Sequence, residues 1–215
     1  MLAAVRAGVD AVEVDVRVTR DGVAVLHHDV RLDRVWSRPE AITDLTFTNL
    51  RTVVPGIPTV AEALAALTGT GVPLLLDVGS VAAARAAATA IEAAGVPRTA
   101  TPETAAVWFC GVPRALAWLR AEGVQAPRIL TWDRWTAIPE STVAAVDPAF
   151  FNPWHRLVTP GLVRRWHARG TRVCTWTVDS PARRRRLLGW GVDAVISNVT
   201  HGVVADVRAV VRGVA

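Results

Sequence analysis

Glu13 and Asp15 stand two residues apart in a run of valines, Ala11-Val-Glu-Val-Asp-Val-Arg-Val18. Valine is β-branched and favours a strand. Alternate side chains on a strand share a face, so both carboxylates project the same way, about 6–7 Å apart along the backbone. That anionic face is costly unless a cation or a hydrogen-bonding partner meets it. An Asp21-Gly22 turn signal then reverses the chain into Val23–His27, which leads into His28-Asp29. Two carboxylates and an imidazole are thereby expected at one end of a hairpin, the outline of a metal-assisted acid–base site.

Beyond the hairpin, β-branched apolar runs alternate with amphipathic, alanine-rich stretches. Strands are predicted at Asp10–Val18, Val23–His27, Val72–Val78, Ala105–Phe109, Arg128–Trp132, Ala149–Asn152, Arg172–Val178 and Asp193–Ser197. Helices are predicted at Thr59–Leu67, Val81–Ala94, Pro113–Ala121, Pro160–Ala168, Pro181–Leu188 and His201–Val211. Several begin at proline or just after Ser or Thr, and several end near glycine, as helix ends require. Repeated β–α units without polar linkers imply a parallel sheet covered by helices, in one α/β domain spanning residues 1–215. The stretch Asp29–Pro58 has little periodicity and reads as a loop inserted after the hairpin; loops of that length are usually functional.

With Val23–His27 as a hairpin arm, seven barrel-type strands remain, where a TIM-type (β/α)8 barrel has eight. Met1–Gly8 has the character of a helix's last turns, which implies a strand before it. The expectation is therefore a TIM-type barrel lacking its first strand.

Composition removes some classes. Hydrophobic residues make up 51% of 215, yet no apolar stretch approaches the roughly 18–20 residues of a membrane span. With Met1 as the start and no basic-then-apolar leader, the expected location is cytoplasmic. The net charge of +5 comes from a chain without lysine, so arginine supplies all 24 basic side chains. That pattern reads as codon bias rather than selection for an anionic partner. Arg183–Arg186 point all round a helix and form no flat basic face, so a solvated surface is expected and no nucleic-acid binding. Cys110 and Cys174 lie in apolar runs without metal-like spacing and read as two buried thiols, with a disulfide as the alternative.

The residues resemble the glycerophosphodiester phosphodiesterase family. The resemblance is carried by Arg6-Ala-Gly-Val-Asp10, Val12-Glu-Val-Asp-Val16, Thr19-Arg-Asp-Gly22 and Leu26-His-His-Asp-Val-Arg-Leu-Asp-Arg34. It continues through Thr43-Asp-Leu-Thr46, Ile57-Pro-Thr-Val-Ala-Glu-Ala-Leu64, Thr175-Trp-Thr-Val-Asp179 and Gly191-Val-Asp-Ala-Val-Ile-Ser-Asn198. It implies a TIM barrel that cleaves glycerophosphodiesters to glycerol 3-phosphate and an alcohol, using a divalent cation, Ca²⁺ or Mg²⁺. Carried over by position, Glu13, Asp15 and Asp77 are the implied metal ligands and His28 the implied catalytic histidine. Asp77, in Leu74-Leu-Leu-Asp-Val-Gly79, takes a position that is Glu in the family. Trp176 is expected to line the pocket mouth against the substrate, a small phosphodiester; the oligomeric state is left open.

The family pattern also has features without a counterpart here. Its His-Arg-Gly and Glu-Asn-Thr motifs are not found downstream of Met1. Gly79 stands where it has Lys, Trp108-Phe109 where it has Ser-Phe, and Ser197-Asn198 where it has Thr-Asp. Hydrolysis is therefore expected to be impaired in this chain. The alternative is a non-catalytic barrel that binds phosphoesters or a protein.

Overall fold

The structure is a computed structural model that describes residues 1–96 and 104–211. Its strands are β1 (Val12–Val18), β2 (Ala24–Leu26), β3 (Leu74–Val78), β4 (Val107–Gly111), β5 (Arg128–Trp132), β6 (Phe150–Pro153), β7 (Arg172–Thr175) and β8 (Ala194–Val195). They form one sheet in the order β2-β1-β3-β4-β5-β6-β7-β8. The pairs from β1 to β8 are parallel, and β2 is the antiparallel hairpin arm on β1. The helices are α1 (Leu2–Ala7), α2 (Asp33–Trp36), α3 (Phe47–Val53), α4 (Val60–Leu67), α5 (Val81–Ala93), α6 (Pro113–Ala121), α7 (Glu140–Val146), α8 (Pro160–His167), α9 (Pro181–Gly189) and α10 (Thr200–Val211).

Strands β3 through β7 are largely apolar on both faces because both faces are buried. One set of side chains, including Leu74, Leu76, Phe109, Leu130, Phe151 and Val173, packs under the helices. The alternate set, Leu75, Cys110, Ile129, Phe150 and Cys174, forms a single inner cluster. Side chains from β3 through β7 can meet in one cluster only if the sheet curls, as the wall of a TIM-type barrel does. Among the described residues β1 and β8 do not pair with each other. Between them lies a cavity of about 630 Å³, lined by Val12, Glu13, Ala194 and Ile196 and flanked by α1 and α10. Both cysteines are buried and free, as buried thiols should be. No helix among the described residues is long and apolar enough to cross a membrane.

Helix starts follow the capping residues. The side chains of Thr46, Thr59, Ser80, Thr159 and Ser180 each accept the backbone N–H three residues on. Thr59 and Glu62 complete a reciprocal capping box at α4.

Three features differ from the sequence reading. Helix α7 was not expected, because Glu-Ser-Thr-Val offers neither strong propensity nor apolar periodicity over its two turns. The inserted stretch is not a plain loop: it holds α2, α3 and a 3₁₀ turn at Ile42–Asp44. Its irregularly spaced Leu32, Ile42, Leu50, Val54 and Ile57 close on Val25 as a second small core. The Arg183–Arg186 run is only partly solvated. Arg184 is 1% exposed, and its Nε donates to Asp206 of α10 at 2.7 Å while Nη1 reaches the carbonyls of Val178 and Asp179. One of four identical letters is thus a buried tie between α9 and α10.

Candidate active site

The hairpin that carries the site is fixed at its tip. Gly22 takes φ +85, the conformation the turn requires, and its N–H donates to the Thr19 carbonyl at 2.9 Å. Thr19 Oγ1 donates to Asp21 at 2.6 Å, and Asp21 accepts the Phe47 N–H at 2.9 Å. A further bond from Arg20 N–H to the Leu45 carbonyl, 2.8 Å, ties the tip to the insertion. The returning arm then brings the His27 N–H within 3.1 Å of the Asp15 carbonyl.

Asp15 is in register with Asp77, and Asp77 with Cys110 on the next strand. Ligand atoms of Glu13, Asp77 and Cys110 all lie within 4.8 Å of one another. Asp15 is outside that group but not outside its field. Burial, then the charges of Asp15 and Asp77, push the Glu13 carboxyl up to about 8. Burial, followed by the charge of Asp15, raises Asp77 to about 6. Asp15 is itself raised, mainly by burial, with His28 and Arg17 acting against the shift. Glu13 and Asp77 are therefore crowded into one poorly hydrated place within the field of Asp15, where the three repel unless protons or a cation intervene.

The sequence reading did not single out Cys110 for this cluster. Its thiol is pushed well above its ordinary range by burial and by Asp77, so it stays protonated and hydrogen-bonds to Asp77. A neutral thiol orients that carboxylate; it is a poor donor for a hard cation. Gly111 was missed too. It sits at φ +130, where an added Cβ would lie 2.4 Å from the Val78 carbonyl oxygen and 2.9 Å from Asp77 Oδ1. Only glycine lets β4 pass this close to the carboxylate.

The two adjacent histidines have separate tasks. His27 Nδ1 lies 2.8 Å from the Asp29 carbonyl, and its Nε2 accepts the Trp36 indole N–H at 3.2 Å. Both of its nitrogens are committed to holding the insertion. His28 has Nδ1 2.6 Å from Asp29 Oδ1, and its side chain is 74% exposed. Among the described residues its Nε2 has no protein partner. Asp29 is drawn down to about 2, first by the hydrogen bond from Arg34 at 2.5 Å and then by His28. It stays ionised and fixes the His28 ring.

Trp176 follows β7 at the same end of the sheet, with its indole N–H on the Asn152 carbonyl at 3.2 Å. The Asn152 side chain is 2% exposed; it donates to Thr131 Oγ1 at 3.2 Å, while its Oδ1 is buried without a partner. The sequence offered no signal for Asn152, because an isolated Asn after two phenylalanines resembles a strand end.

A sequence profile of the Glycerophosphoryl diester phosphodiesterase family matches residues 1–201. The chain is 29% identical over 220 aligned positions to the protein named Probable glycerophosphodiester phosphodiesterase 2 of Mycobacterium tuberculosis, covering 91% of this chain and 78% of that one. It is 27% identical to Glycerophosphodiester phosphodiesterase GDPD4 of Arabidopsis thaliana, covering 95% and 67%. The fold matches an Oleispira antarctica phosphodiesterase solved with the product sn-glycerol-3-phosphate, with a TM-score of 0.82 at 19% identity, over 96% of this chain and 88% of that one. A glycerophosphodiester phosphodiesterase of Thermotoga maritima gives a TM-score of 0.74 at 19% identity, over 95% and 87%.

Proposed function

This chain belongs to the Glycerophosphoryl diester phosphodiesterase family, whose members are phosphoric diester hydrolases, and from that membership we propose that it hydrolyses glycerophosphodiesters to glycerol 3-phosphate and an alcohol. In this proposal Glu13, Asp15 and Asp77 hold a divalent cation, Ca²⁺ or Mg²⁺. The observation that carries it is the approach of Glu13 and Asp77 ligand atoms to within 4.8 Å of each other, where burial first and neighbouring carboxylates second raise Glu13 to about 8 and Asp77 to about 6. Hard oxygen donors packed at this density, with the nearest thiol protonated, suit those ions. When bound, such a cation neutralises phosphoryl charge and orients the diester.

The remaining chemistry belongs to the chain's own side chains. An alkoxide leaving group is a strong base and needs a proton. His28, with Nδ1 held by Asp29, has Nε2 free to supply one, a contribution of about 10²–10⁴ in rate. Trp176 at the mouth offers an indole face to the glycerol or alcohol portion.

Turnover by this chain is expected to be slow. Glu13 lines the cavity between β1 and β8, so the carboxylate cluster opens sideways as well as toward the mouth. Water that reaches the charges weakens every electrostatic interaction on which the reaction depends. The same opening favours a second reading, a barrel that binds phosphoesters without cleaving them.

Choline release from glycerophosphocholine, measured with Ca²⁺ or Mg²⁺, separates the two. Hydrolysis predicts measurable turnover that falls about 10²-fold or more in His28→Asn. His27→Asn should instead lower thermal stability with a smaller effect on kcat, because its ring holds Trp36 and Asp29. Binding of glycerol 3-phosphate without any turnover supports the second reading. Equal turnover in wild type and His28→Asn would remove His28 from the mechanism.

A further inference from the structure

We propose that Arg17 is a substrate-contacting residue, whose guanidinium receives a phosphoryl oxygen of the anionic diester beside the carboxylate cluster. The proposal rests on the hydrolase reading above and adds a residue which that reading does not use.

Position comes first. Residues 13, 15 and 17 share one face of β1, so Arg17 projects to the same side as Glu13 and Asp15. Its Nη2 is 4.0 Å from Asp15 Oδ1 and donates to the backbone carbonyl of His28. Its charge also acts on Asp77. The guanidinium therefore lies between the three carboxyls and the histidine segment, the place where a diester bound by both would carry its charge.

Space comes second. Nη1 lies 3.6 Å from where a Cβ on Gly79 would be, just past the end of β3. Glycine there leaves room beside Nη1, which a longer side chain would occupy.

The third point is unused hydrogen-bonding capacity. Arginines on the insertion are committed: Arg34 reaches Asp29 at 2.5 Å, Arg38 reaches Glu40 at 2.7 Å, and Arg31 reaches Asp33 at 3.4 Å. Among the described residues Arg17 makes only the 4.0 Å approach to Asp15 and the one carbonyl bond, and its Nε is buried with no partner. A guanidinium has five donors in a planar fork. Nη1, on the side that Gly79 leaves open, makes no hydrogen bond to a described residue and can donate to a ligand oxygen. The fork matches two oxygens of a phosphoryl group, which a point charge does not.

The test uses the full chain with Ca²⁺ present and sn-glycerol 3-phosphate as the probe. Calorimetric titration is expected to show binding by wild type that is about 10- to 100-fold weaker in Arg17→Met and about 10-fold weaker in Arg17→Lys. KM for glycerophosphocholine should rise in parallel, with a thermal midpoint within a few degrees of wild type. Arg17→Met that binds the probe as wild type does but loses kcat would assign Arg17 to holding the His28 segment and overturn the proposal. A variant that matches wild type in both measurements overturns it as well. Wild type that neither binds the probe nor turns over substrate would instead overturn the hydrolase reading, and the role of Arg17 with it.

Discussion

Glu13→Gln is expected to lower kcat/KM for glycerophosphodiester hydrolysis about 10³-fold and, in the same protein, to raise the stability of the metal-free state. Both signs follow from one cause. Burial first, then Asp15 and Asp77, lift the Glu13 carboxyl from 4.5 to about 8. A carboxyl whose folded pKa lies above its unfolded value binds more protons folded than unfolded across that interval. Stability of the metal-free chain must then fall as pH rises from about 5 to 8. Asp77, raised to about 6, adds to the fall over the lower part of the range. Glutamine is neutral at every pH, so the variant should melt higher at pH 8 by several degrees and show a flatter pH profile. Ca²⁺ should flatten the wild-type profile in the same way by replacing the protons. Thermal melts at pH 5, 6, 7 and 8, with chelator and with Ca²⁺, measure all of this. A wild-type midpoint that rises steadily from pH 5 to 8 in chelator would mean that the carboxyls are not crowded.

Gly111→Ala is expected to have the largest structural effect. At φ +130 an L-residue is strained, and its Cβ would sit 2.4 Å from the Val78 carbonyl oxygen. That oxygen belongs to the β3 backbone and cannot rotate away as a side chain could. Destabilisation of about 3 kcal/mol or more is expected. Any folded fraction should have Asp77 displaced, because its Oδ1 lies 2.9 Å from the new methyl. Gly22→Ala is the control: φ is +85, but nothing lies within 4 Å, so only backbone strain of about 1–2 kcal/mol applies. Denaturant midpoints for the two variants should therefore differ clearly. Equal midpoints would mean that the close approach of β4 to Asp77 is not built into the fold.

Much of the barrel was legible because period and punctuation agreed. Strand β5 and helix α6 fall at the expected residues, β4 and β6 lie two residues and one residue further along the chain, and the other strands lose two or three residues at their ends. The placement of Glu13 and Asp15 on one face was legible because valines flank them in strict alternation. Cys110 was not, for a physical reason. Val107-Trp-Phe-Cys is apolar at every position, so nothing in the letters says which alternate residues face the interior. Only register with Asp77 reveals that Cys110 does. Arg184 was hidden by its three neighbours, since burial of one arginine depends on where Asp206 lies in space. The separate roles of His27 and His28 depend on Trp36 and Asp29, which reach them only once the insertion has folded over its own small core.

The central claim is that carboxylates from β1 and β3 share one divalent cation. Titration of Ca²⁺ into the metal-free chain at pH 7, in two buffers of different ionisation enthalpy, tests it most directly. The account predicts one ion per chain with protons released on binding, because Glu13 near pKa 8 must give up its proton. Binding should be lost in Glu13→Gln and in Asp77→Asn and weakened in Asp15→Asn. No binding by wild type, or binding that Glu13→Gln and Asp77→Asn leave intact, would contradict it.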